Sequence, residues 1–116
     1  MTAPNNKIDL YDDAKVDARV KRLAFCFNLA AGSPASKGFG ADNLLKTGLD
    51  LFKATTADTQ AFALNADEKA YMRLQFVKIA AKLQGDRSTG WASYEETIIG
   101  KADDLMATAL KLKLIK

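Results

Sequence analysis

The stretch Asn65 to Gly85, NADEKAYMRLQFVKIAAKLQG, constrains the fold more than any other part of the chain. Asn65 is a favourable N-cap, and Glu68 three residues later can reach back to the Asn65 backbone N–H in a capping box. Gly85 can end the helix in a left-handed conformation. At about 100° per residue, Ala70, Leu74, Val77 and Ala81 form one apolar stripe, and Met72, Phe76, Ile79 and Leu83 form a second on nearly the opposite side. A helix that is apolar on two sides requires two partners. One stripe is expected to pack on the chain's own helices. The other, Met72, Phe76, Ile79 and Leu83, is the candidate oligomer face, to be met by a further helix or by another subunit.

The remaining segments supply helices for it to pack on. Val16, Val20, Leu23 and Phe27 recur at helical spacing and predict a long helix over about 9–31, with Asp9, Asp12 and Asp13 in the first turns, where the helix dipole favours acids. Residues 30–43, AAGSPASKGFGADN, read as a loop. Asp42 or Asn43 then caps a second helix over about 43–54, rich in leucine. Within it Gly48 costs about 1 kcal/mol relative to alanine, which points to a close helix approach. Thr55 to Asp58, TTAD, repeats the capping-box pattern and predicts a short helix near 56–63. Ser93 and Glu96 form another box before a helix over about 94–112, with Ile98, Ala102, Leu105 and Ala109 on one face. The closing LKLKLIK also fits a strand of period two, although the sequence offers it no partner strand. The expected fold is therefore all-α: a compact bundle of four main helices, about 9–31, 43–54, 66–84 and 94–112, plus the short helix. All belong to one domain, 1–116, with 1–7 as a flexible arm.

Reactive chemistry is sparse. The 116 residues include no histidine and a single cysteine, Cys26, so the commonest general base and the usual zinc and copper ligands are missing. Cys26 between Phe25 and Phe27 reads as a buried structural thiol. The acid pairs Asp12/Asp13, Glu95/Glu96 and Asp103/Asp104 point about 100° apart on a helix, which is poor geometry for shared acid–base work. The chain is thus expected to be no enzyme, with neither metal nor cofactor. No apolar run approaches the ~20 residues of a membrane span, and the first residues lack the apolar core of a signal peptide, so no membrane partner and a cytoplasmic location are expected.

Binding residues are easier to nominate. If the helices run up and down, loops 32–43 and 85–92 come to the same end of the bundle. Lys37 and Arg87 would converge there beside Phe39 and Trp91, near helix N-termini that favour an anion. On the third helix Lys69 and Arg73 form a narrow basic strip. The net charge of +3 is mild and interspersed, which carries little weight towards nucleic acid. The expected function is a non-enzymatic helical interaction protein that self-associates, or docks on a protein partner, through apolar helix faces. The alternative is binding of nucleic acid or another anionic ligand through the two loops.

Overall fold

The computed structural model describes residues 11–33, 40–84 and 91–116, with the side chains of all of these but 84 and 91–95. Four helices form: α1 Ala18–Gly32, α2 Ala41–Thr56, α3 Ala66–Gln84 and α4 Trp91–Lys111. No strand occurs among the described residues. Helix α1 begins nine residues later than its periodicity suggests, because two acids cap separately. Asp12 accepts the Ala14 N–H at 3.0 Å and starts a 3-10 turn, Asp13–Lys15. Val16 is then extended, and Asp17 caps α1 by accepting the Arg19 N–H at 2.8 Å. Val16 still reaches the core from outside the helix. At α4 the start is earlier than expected, at Trp91 rather than near 94.

Local chemistry at α3 follows its sequence closely. Asn65 Oδ1 accepts the Glu68 N–H at 2.7 Å and Glu68 Oε1 accepts the Asn65 N–H at 3.0 Å, which is the reciprocal capping box. The second oxygen of Glu68 accepts the Asp17 N–H at 2.9 Å, at the cap of α1. One buried carboxylate therefore closes two helix N-termini, and its neighbour Asp67 accepts the Asp12 N–H at 2.8 Å. Helices α1 and α3 consequently start side by side and run parallel. Phe27 meets Phe76 at 5.6 Å between ring centroids, and Asn28 Nδ2 donates to Gln75 Oε1 at 3.4 Å, about equally far along each helix.

Each of these helices has an antiparallel partner. Phe27 of α1 lies against Gly48 of α2, while Arg19 lies over Phe52. Arg73 of α3 reaches Asp103 of α4, while Ala80 packs on Ile98. With α1 on α3 and α2 on α4, the molecule is two helical hairpins stacked as parallel layers. Leu23, Phe27, Leu44, Leu45, Phe52, Met72, Phe76, Ile79 and Leu105 fill the space between them, each at most 1% exposed.

The short helix expected near 56–63 does not form. Ala57 ends α2 with φ 58°, in the left-handed region, and residues 57–65 cross from one layer to the other without helical turns. The threonine and aspartate that suggested a cap are engaged otherwise. Thr55 Oγ1 donates back to the Leu51 carbonyl at 2.8 Å, and Asp58 Oδ1 accepts the Gln60 N–H at 2.9 Å. A helix here would also carry Phe62 away from the core, where it is 3% exposed against Phe52.

The tail LKLKLIK forms no strand. Leu114 N–H donates to the Ala109 carbonyl at 3.0 Å and Lys113 N–H to the Leu110 carbonyl at 3.1 Å, a Schellman ending for α4. Lys113 takes the left-handed position at φ 59°, and the turn carries Ile115 into the core at 1% exposure.

Candidate functional site

The stripe nominated as an oligomer face is the inner face of α3. Met72, Phe76 and Ile79 have no solvent exposure, and Leu83 packs half-buried against the same core. That expectation is corrected: periodicity marks these positions as buried, and the chain's own core, chiefly α1 and α4, does the burying. The opposite stripe is divided. Ala70 is buried and Val77 and Ala81 pack beside Ile98, while Leu74 stays half-exposed.

The basic strip is also not free. Arg73 Nη2 and Nε both bond Asp103 Oδ1, at 3.0 and 3.1 Å, because this side of α3 faces α4. Lys69 alone remains exposed. Lys37, Phe39 and Arg87 lie outside the described residues, and Trp91 is the first residue of α4 with its side chain outside them. The ends of α1 and α3 that flank the two loops do lie at one end of the bundle, since these helices are parallel.

The opposite end, where α1 and α3 begin, holds the densest polar cluster among the described residues. Arg19 donates through Nε and Nη2 to Asp58 and onward to the carbonyls of Gln60 and Ala61, and its guanidinium lies 3.8 Å from the centroid of Phe62. Bonding to Arg19 holds the Asp58 carboxyl below the usual carboxylate range. Both partners are spent on fastening the crossover, and Glu68 on capping, so the cluster offers no unengaged acid or base. Cys26 is buried, and burial pushes its thiol pKa up, which suits a structural residue. Among the described residues no three histidine, cysteine or acidic side chains are grouped to hold a metal, and no helix is long and apolar enough to cross a membrane.

Two features were not nominated from sequence. The first is the outer stripe of α1. Phe25 is 55% exposed and Leu29, one turn on, is 51% exposed, in line with the exposed Ala18, Arg22 and Gly32. The signal lay in the alternation of FCFNL. Cys26 and Phe27 turn inward and leave Phe25 and Leu29 on the far side at i, i+4. The second is a cleft of about 250 Å³ between α2, the crossover and the end of α4, lined by Leu49, Lys53, Gln60, Phe62, Lys113 and Leu114, with Thr59 and Ala61 between. No local pattern could find it, because its walls come from three distant segments. Comparison with protein-family models, with curated proteins and with solved structures finds no match to this chain.

Proposed function

We propose that this is a non-enzymatic helical interaction protein that self-associates weakly through the outer face of α1. The observation that carries the reading is the pair Phe25 and Leu29, each more than half exposed on one side of a helix whose other sides are packed. Large apolar side chains left in water gain on burial by about 25 cal/mol per Å². Arg22 is the only charge on that stripe, so a second copy meets little repulsion across it. Magnitude decides the strength. Two side chains fall well short of the roughly 800 Å² per partner of a stable interface, which places the association in the weak, reversible class. The Met72, Phe76 and Ile79 face of α3 is not the vehicle, since its own chain covers it.

Sedimentation velocity over a concentration series tests the reading. The expected result is reversible dimerisation in the range of about 10 µM to 1 mM, lost in the double variant Phe25→Asp, Leu29→Asp. Thermal unfolding of that variant should be nearly unchanged, because exposed substitutions usually shift stability by no more than ~0.5 kcal/mol. A strict monomer throughout the range would refute it.

A further inference from the structure

The cleft beside the crossover is a second, independent place where the surface is built around unusual features. Its floor is apolar: Phe62 is buried, and Leu49 and Leu114 are half-buried. Its rim carries two ammonium groups, Lys53 and Lys113, and no acid contributes to the lining. Neither lysine forms an ion pair among the described residues. Asp58, the acid nearest in sequence to the crossover wall, is already taken by Arg19.

Lys113 adds a conformational argument. It occupies the left-handed position of the Schellman turn with φ 59°, where glycine is the unstrained choice and an L-residue is disfavoured. Strain at a residue whose side chain borders a cleft is the kind of outlier that accompanies binding sites. The lysines do have a structural use, since Lys53 sits in the last turn of α2 and Lys113 just beyond the end of α4, both at the negative end of a helix. That use accounts for only part of their charge. A helix end carries only about half a unit of negative charge, and Lys111 already lies in the last turn of α4, so Lys53 and Lys113 keep a positive surplus.

We infer that this cleft binds a small amphiphilic carboxylate, a single ring or short chain bearing one negative charge. Charge sets the head group: two lysines and no acid in the lining suit an anion, and a cleft this small takes a single carboxylate. A carboxylate that meets either lysine of the lining gains charge-assisted hydrogen bonds, and Thr59 and Gln60 of the same lining are further polar partners. Size sets the tail, because about 250 Å³ lies below the roughly 300–1,000 Å³ of sites for drug-sized ligands. Leu49, Phe62 and Leu114 then cover the apolar part.

Amide chemical shifts of the full chain, titrated with phenylacetate, test this, with phenethylamine as the cation of similar shape. Phenylacetate at up to about 10 mM should shift Lys53, Thr59 to Phe62, Lys113 and Leu114 and leave the far end of the bundle unmoved. Phenethylamine should not. Added salt should weaken the binding, and the double variant Lys53→Gln, Lys113→Gly should lose about tenfold in affinity. That variant is chosen because glycine at 113 relieves the strained position, so the fold is retained. Equal shifts from both probes, shifts scattered over the surface, or an unchanged affinity in the double variant would each overturn the assignment.

Discussion

A methyl group added at Gly48 would sit 2.3 Å from Phe27 Cδ1 and 3.0 Å from its Cα, whereas one added at Gly100 would meet nothing within 4 Å. The same substitution should therefore have opposite signs at the two positions. Gly100→Ala is expected to stabilise by about 1 kcal/mol, through the propensity of an exposed helix interior. Gly48→Ala should destabilise by about 1–3 kcal/mol, since a ring can rotate away but a backbone contact forces the helices apart. Urea midpoints of the two variants decide it. Titration gives a second check at this scale. Because Asp58 has a folded pKa below its unfolded value, its contribution is present above the unfolded pKa near 4 and is lost as pH falls through the folded value. Wild-type protein should thus lose more stability on acidification from about pH 5 to pH 2 than Asp58→Asn does, measured by denaturant midpoints at each pH.

At the level of elements, what the sequence discloses depends on how far apart the interacting groups lie. The capping box of α3 spans three residues and was legible, as were the four helices and the meaning of Gly48. The start of α1 was not. Its apolar spacing runs on through Val16, and only the cap made by Asp17, completed by Glu68 from 51 positions away, shows where the helix stops. The crossover was misread for a related reason. Thr55, Thr56 and Asp58 have the composition of a cap, but Arg19, 39 residues before Asp58, recruits the aspartate and an αL residue at Ala57 has already ended α2. Of the nominated site, Met72, Phe76 and Ile79 illustrate the limit most clearly. A hydrophobic period states that a face is buried and is silent on whose atoms bury it. Phe25 and Leu29 mark the converse limit, since an apolar residue off the core stripe carries no local sign of whether anything covers it.

Considered as a whole, the molecule is two layers joined unequally. Asp12 to Asp67, Lys15 to Asn65, Asp17 to Glu68, and Arg19 to Asp58, Gln60 and Ala61 all cross between distant segments at the end where α1 and α3 begin. Further along, Asn28 Nδ2 donates to Gln75 Oε1 at the longer distance of 3.4 Å. Among the described residues, this edge is where the two layers are bolted most heavily. Any parting of the layers is then a rotation about that edge, and a swing of about 10° over the ~22 Å length of the 15-residue α1 moves its far end by about 4 Å. Native-state hydrogen exchange should register that leverage as a gradient. Amides of 20–24 and 69–73 should open only with global unfolding, and those of 28–32 and 79–83 at lower free energy. Uniform protection along both helices would mean that packing alone holds the layers as firmly as the bolted edge.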